Sequence, residues 1–323
     1  MSSNKYYKVD TNKIIPFIVG PTAVGKTSVG IELAKRWKGE IISVDSRQIY
    51  KKLDIGTAKP TEEQQKLVNH YLIDVKDPGE RISAGEYRNM AIDRVEKLLS
   101  KDKLPIFVGG SGMYVRAVTQ GFFQGSRTDE KIRTEVQKEL EKKGKEEMHA
   151  RLEEIDPEYA EKIHMNDTKR VTRALEIYRM KGKPPTKLYK EQKENPPFPF
   201  VVFGLKMDRD KLYKRINQRV YEMIDMGLVE EVEKLRKQGY IETFKRIKTI
   251  GYYEVNQFLE GKITKKEAIE NIKQNSRNLA KRQISWFKNQ TDTNWINIDN
   301  KSQNEIIEQI EKKYRGENES PPN

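Results

Sequence analysis

Cysteine is absent from the 323-residue sequence, which excludes disulfides, thiol nucleophiles and every zinc site that needs a thiolate. Histidine is nearly absent: His70, His149 and His164 are too few and too scattered to suggest a metal cage or a Ser-His-Asp triad. No stretch approaches the ~18 consecutive apolar residues of a membrane-spanning helix, so no membrane association is expected. The opening MSSNKYYKVDTNK lacks a long apolar segment and a small-residue cleavage site, so it does not read as a secretion signal, and a cytoplasmic location is expected. Apolar residues make up 35%, or about 41% with glycine, below the usual ~45–50%. Much of the chain should therefore be solvated helix. What is abundant is charge: 62 Lys+Arg against 49 Asp+Glu leave +13, with a pI of 9.4 and a mean hydropathy of -0.86. The chemistry is left to phosphate-binding backbone, carboxylates, lysine, arginine and hydroxyls.

At roughly 150 residues per domain, the length suggests about two domains. The apolar run Ile14–Val19 ends in a glycine turn and precedes the helical pattern Val29, Leu33, Ala34, Trp37. Strand, glycine loop, helix is how a parallel α/β sheet opens. Further strands are read at Glu40–Val44, Leu104–Val108 and Val201–Leu205, nearly uniform in apolar content as strands covered on both faces are. The segment from about Thr128 to Lys183 reads as charged helix, with Asp156-Pro157-Glu158 as a cap and Lys181-Gly182-Lys183-Pro184 as a stop. Five prolines between Pro184 and Phe200 predict an extended connector. Helices are expected over Lys211–Gln238 and Ile263–Lys288. The predicted fold is α/β, a P-loop-type parallel sheet with helices on both faces, plus an inserted helical subdomain and a helical C-terminal region. Its parts are a first core segment (1–127), an inserted subdomain (128–197), core completion with a basic helical region (198–300) and a flexible tail (301–323).

Gly20-Pro21-Thr22-Ala23-Val24-Gly25-Lys26-Thr27 fits G-x-x-x-x-G-K-[ST] at every fixed position, between the strand and helix its mechanism needs. Glycines let backbone N–H groups converge on phosphate oxygens, Lys26 neutralises them, and the Thr27 hydroxyl can hold Mg²⁺. The loop reads phosphates and ignores what they are attached to. An NTPase usually places an Asp at the end of another apolar strand; here Phe107-Val108 is followed by Gly109-Gly110-Ser111. That weakens a motor, a GTPase or a non-catalytic RNA-binding ATPase, and leaves an ATP-dependent small-molecule or nucleoside kinase as the alternative.

Asp45 follows the second strand and so lies at the same sheet edge as the loop. It can act as a base toward an attacking nucleophile, cap the following segment, or join a Mg²⁺ shell. Asp54 and Asp77 lack that placement and read as loop or cap residues. Arg215 and Arg219, four apart, share a helix face, which suits either a diphosphate grip or a solvated basic surface. Between Thr243 and Lys288 eleven Lys+Arg stand against four acids, with Tyr252, Tyr253 and Trp286 interleaved. Such a stretch suits a phosphodiester backbone plus base stacking, and Lys169, Arg170 and Arg173 offer a second basic face.

The ordered segments GPTAVGKT from Gly20, SVDSRQIYKKLDIGTAKP from Ser43, GGSGMY from Gly109, IHMNDTKRVTRALEIY from Ile163, RINQRVYEMIDMGLVEEV from Arg215, KTIGYYE from Lys248 and LAKRQISWF from Leu279 resemble the tRNA dimethylallyltransferase (isopentenyl-tRNA transferase) family of bacterial type. The resemblance covers most of residues 14–288. It implies transfer of a dimethylallyl group from dimethylallyl diphosphate to N6 of adenosine 37 in tRNAs reading U-initial codons. It implies Asp45 as the base on the adenine amine, with Arg219 and Thr27 completing the catalytic set. Gly20 to Thr27, Arg219 and Arg215 would hold the diphosphate, and Mg²⁺ would sit at Thr27. Asp45, Ser46, Arg47 and Gln48, Ser111, Lys169 to Arg173 (with Val171 and Thr172), Lys248, Gly251, Tyr252 and Arg282 correspond to segments that touch tRNA. The partners implied are the tRNA anticodon stem-loop and dimethylallyl diphosphate, acting on a monomer. Ser111-Gly112 replaces a more usual Thr-Met, and Lys248 and Tyr253 stand where Arg is common.

Overall fold

The computed structural model describes residues 12–120, 129–191 and 196–319. Six strands, β1 (Ile15–Val19), β2 (Gly39–Val44), β3 (His70–Tyr71), β4 (Leu104–Gly109), β5 (Phe200–Lys206) and β6 (Asn294–Asn297), form one sheet in the order β3-β2-β4-β1-β5-β6. Every pairing is parallel. Four helices fall among the first four strands and just after them: α1 (Lys26–Arg36), α2 (Glu62–Leu67), α3 (Ala84–Leu99) and α4 (Gly112–Thr119). The middle of the chain forms α5 (Glu130–Ile155), α6 (Pro157–Glu161), α7 (Thr168–Lys181) and α8 (Pro185–Glu191). After β5 come α9 (Arg209–Asp225), α10 (Leu228–Lys237), α11 (Ile241–Ile247), α12 (Tyr252–Leu259) and α13 (Lys265–Gln290), and after β6 comes α14 (Gln303–Glu319).

The uniform apolar runs become the inner strands because each has a neighbour on both edges and cover on both faces. All of β1 and all of β4 are buried, and Phe17 faces Phe107 in register, their rings stacked at 4.3 Å. β1 lies between β4 and β5, so its carboxyl end opens at the middle of the sheet, the edge where α/β folds bind ligands.

The chain divides into two compact units. One holds the described residues up to Ile82, Asn89–Thr119 and those from Pro197 onward; the other holds Ser83–Arg88 with the described residues of Gln120–Pro196. The second unit has its own core, in which Val136, Met148 and Leu152 of α5 meet Val171, Ala174 and Leu175 of α7. Asp156 caps α6 as its sequence suggests: Oδ1 accepts from Tyr159 N–H at 3.1 Å and Oδ2 from Thr186 N–H at 2.7 Å, with Pro157 in the first turn. Gly182 ends α7 with φ 67°.

Several expectations fail for identifiable reasons. The tail is not loose over its described part: α14 buries Ile306, Ile307 and Ile310, Tyr314 stacks on Trp37 at 4.5 Å, and the Tyr314 hydroxyl donates to the Ile14 carbonyl at 2.7 Å. Three isoleucines and a tyrosine spaced along one helical stripe suffice despite the polar surroundings. Part of the proline-rich connector is helix α8, since a proline at the first helical position costs nothing; residues 192–195 of it lie outside the described set. The predicted helix Lys211–Gln238 is two helices, broken at Gly227 with φ 97°. Ser83–Arg88 groups with the second unit, not with the first core segment.

Candidate active site

The loop Gly20–Thr27 joins β1 to α1, with left-handed backbone at Ala23 (φ 64°) and at Gly25 (φ 97°), the residue that starts α1. Val24 is 1% exposed, so it serves the loop through its backbone. Lys26 turns back and donates from Nζ to the Pro21 carbonyl at 2.7 Å. Burial, and then the neighbouring Arg219 guanidinium, push the Lys26 ammonium down to about 7, with Asp45 pulling the other way. Arg219 comes from α9 and donates to the Thr22 hydroxyl; burial lowers it too, against the attraction of Asp45 and Glu222. Two partly desolvated cations thus line the same cavity, an arrangement that an arriving anion relieves.

Asp45 directly follows β2. Its Oδ1 accepts from the backbone N–H groups of Arg47 (2.8 Å) and Gln48 (3.3 Å), which closes the turn after the strand. Oδ2 carries no bond to another described residue, and Asp45 lines the cavity. Capping and facing the ligand, alternatives in the sequence, are compatible here. Gln48 is spent on structure: its amide donates to the Thr57 and Ala58 carbonyls and accepts from Ser43. Ser111 accepts from Ser46 N–H at 2.9 Å, and Arg47 donates to the Ile247 carbonyl at 3.1 Å.

These residues surround a cavity of about 480 Å³ at the carboxyl edge of the sheet. Thr22, Lys26, Thr27, Asp45, Ser46, Arg47, Gln48, Ser111, Arg219, Lys248 and Arg282 all line it. Val220 and Met223 of α9 and Ile272, Leu279 and Trp286 of α13 add apolar wall. A polar end beside apolar wall suits an amphiphile with an anionic head.

Other predicted residues are placed elsewhere. Arg215 is exposed and does not line the cavity, one turn of α9 away from Arg219. Tyr252 was expected at an RNA surface, yet it is 0% exposed: it stacks with Phe244 at 5.7 Å and donates to the Glu231 carboxylate, itself raised by burial. A base cannot reach it. Gly251 is buried, with its N–H committed to Glu254 Oε2 at 2.8 Å. On α7, Val171 and Thr172 are buried, and the Thr172 hydroxyl donates to the Thr168 carbonyl at 2.8 Å. Lys169 and Arg170 are exposed, and Arg173 pairs with Glu176 at 2.8 Å. Lys248 and Arg282 are exposed at the cavity, Lys248 with its ammonium 5.5 Å from the Tyr253 ring centre.

Sequence reasoning missed Gln283, which bonds to the phosphate loop. The signal was present in the α13 stripe Ile272, Ser276, Leu279, Gln283, Trp286, spaced as one helix face. Among the described residues no group of three or more His, Asp or Glu could hold a metal. The Thr27 hydroxyl lines the cavity and makes no bond to another described residue. The donors therefore fit Mg²⁺ held by one hydroxyl and by the oxygens of a bound diphosphate, as this ion often is, and do not fit a protein cage.

Fold and site together define a parallel α/β protein whose central strand ends in a glycine loop beside partly buried cations. The IPP transferase family model matches residues 48–290, so the match begins beyond both the loop and Asp45 and is independent of them. The chain belongs to the IPP transferase family. It is 45% identical over 292 residues to the tRNA dimethylallyltransferase of Acetivibrio thermocellus, covering 90% of this chain and 93% of that one. It is 45% identical over 298 residues to the tRNA dimethylallyltransferase of Thermotoga maritima, covering 92% and 97%. The full-length tRNA isopentenylpyrophosphate transferase of Bacillus halodurans superposes with a TM-score of 0.70 at 40% identity, over 95% of this chain and 97% of that one. A eukaryotic dimethylallyltransferase captured acting on tRNA superposes with a TM-score of 0.81 at 27% identity, over 94% and 80%. None of these is a kinase.

Proposed function

We propose that this chain transfers a dimethylallyl group from dimethylallyl diphosphate to N6 of adenosine 37 in the anticodon loop of tRNAs reading U-initial codons, releasing diphosphate. The observation that carries the reading is the convergence of Lys26, Arg219 and Asp45 on one cavity, in a chain whose residues 48–290, outside the loop, match the family model.

Attack of the adenine N6 on the allylic carbon breaks that carbon's bond to oxygen, and the diphosphate departs with the electron pair. Lys26, Arg219 and the loop amides are placed to stabilise the charge that grows on the leaving oxygen. Bound at Thr27, Mg²⁺ would supply further neutralisation of that charge. The proton on N6 has to leave, and the Asp45 oxygen not used in the turn is the acceptor on hand. Burial holds the free Lys26 ammonium down to about 7, and the incoming anion favours its charged form.

Exposed Lys248 and Arg282 at the cavity, and Lys169 and Arg170 on α7, suit phosphodiester contacts. An anticodon-loop base is unpaired, so extruding it costs only a few kcal/mol. No helix among the described residues is long and apolar enough to cross a membrane; a cytoplasmic enzyme meeting free tRNA is the setting of this reading. The deciding assay mixes protein, unmodified tRNA, Mg²⁺ and dimethylallyl diphosphate, then digests the RNA and weighs the nucleosides. A dimethylallyl mass increment on adenosine at position 37 is expected. Transfer of phosphate from ATP with no such increment would overturn it.

A further inference from the structure

The α13 residues Ile272, Ser276, Leu279, Gln283 and Trp286 line the cavity at spacings of four and three, one stripe of the helix. Gln283 is its one long polar member, and its carboxamide is bonded at both ends. Oε1 accepts from the Thr22 backbone N–H at 2.8 Å, and Nε2 donates to the Gly110 carbonyl at 3.0 Å. Thr22 belongs to the phosphate loop, and its hydroxyl accepts from Arg219. The Thr22 N–H is therefore spent on α13, and its hydroxyl accepts from α9, helices that arrive some 260 and 200 residues later in the chain. The turn after β4 is bare where α13 approaches: a Cβ at Gly110 would strike the Gln283 amide nitrogen, and a Cβ at Gly112 the Trp286 indole.

An amide donating to a carbonyl at one end and accepting an N–H at the other has one satisfied orientation; flipping it sets donor against donor and acceptor against acceptor. We infer that Gln283 is a positioning residue for the transfer reaction: it fixes the first half of the phosphate loop and the turn after β4 to α13, with the Thr22 N–H serving as the anchor point and not as a phosphate donor. Gln283 acts through Thr22 on where the diphosphate sits. Displacing a reactant by a fraction of an ångström is enough to cost rate and affinity. This inference rests on the diphosphate-using reading above.

Three variants test it. Gln283→Leu keeps the volume and removes both bonds. Gln283→Glu keeps an acceptor for the Thr22 N–H but sets an oxygen against the Gly110 carbonyl. Gly110→Ala displaces the amide without altering residue 283. For each, the affinity for inorganic diphosphate with Mg²⁺ is measured by calorimetry in the absence of RNA, along with kcat and both KM values and the melting temperature. Gln283→Leu is expected to weaken diphosphate binding about tenfold, the effect of losing a well-aligned contact, and to raise the KM for dimethylallyl diphosphate in step. Its KM for RNA should stay within about twofold. Gln283→Glu and Gly110→Ala are expected to fall between it and the unaltered protein. Diphosphate affinity unchanged in a folded Gln283→Leu protein overturns the inference, and so does a rise in the RNA KM alone. Should that variant not fold, the other two decide by the same criteria. An unaltered protein that binds diphosphate but prenylates no RNA would refute the reaction while the calorimetry still judges Gln283.

Discussion

The two ends of the cavity hold their cations differently. At the loop end Lys26 and Arg219 are partly buried, bonded to the protein's own Pro21 and Thr22, and depressed by their desolvation. At the outer end Lys248 and Arg282 are exposed. A partly desolvated cation bonded in one place can stabilise charge at one point, and its removal leaves that point uncompensated. An exposed cation acts through a screened field, tolerates movement in its partner, and loses influence as salt rises. The first arrangement suits a small anion in a fixed pose, the second a long flexible polyanion.

Substitutions can break that contrast. Asp45→Asn, which keeps the turn-closing acceptor but not the base, should lower kcat by about 10²–10⁴ in single-turnover measurements, the range for a general base; an unchanged rate would remove Asp45 from the chemistry. Lys26→Ala should weaken diphosphate binding by roughly 2–3 kcal/mol in calorimetry, as for a charged hydrogen bond. Because the free Lys26 titrates at about 7 and the diphosphate favours its charged form, binding takes up a proton above that pH. Relative to Lys26→Ala, in which the ligand's own titration is unchanged, diphosphate affinity should fall by up to tenfold per unit above about pH 7, and parallel profiles to pH 9 would contradict the coupling. At the outer end, Arg282→Ala should weaken tRNA binding severalfold at low salt and reduce the salt slope by about 0.7, the value for one single-strand phosphate contact. The smallest effect belongs to Arg215→Ala, expected within about twofold for kcat and both KM values because a solvated cation is screened. Equal losses at Arg215 and Arg219 would erase the distinction between exposed and cavity-lining arginine on α9.

How far the sequence could be read follows from which interactions are local. β1, β2, β4 and β5 were visible because each is an apolar run, the first three ending at glycine or aspartate, and the loop because its glycines and lysine fall at fixed spacing within eight residues. β6 was not, since of Asn294-Trp295-Ile296-Asn297 only Ile296 is fully buried. Tyr252 looked like a stacking residue among basic neighbours; its burial depends on Phe244 and on Glu231, a carboxylate 21 residues away. Arg215 and Arg219 were indistinguishable by spacing, and the rotation of α9 in its seat chooses between them. Gln283 carries a meaning that no local pattern holds, because its partners are Thr22 and Gly110.

The position of β1 in the sheet constrains the order in which this molecule can be made. Its neighbours are β4, about 90 residues later, and β5, about 185 residues later, while α14 at the far end of the chain secures Ile14 just ahead of it. During synthesis the most apolar strand must wait, one edge unpaired, until the helical insertion has emerged. Long-range parallel pairing of this kind is slow and leaves sticky edges exposed. The second unit's own core of α5 and α7 side chains draws on contacts far closer in sequence, so its packing does not require that late pairing.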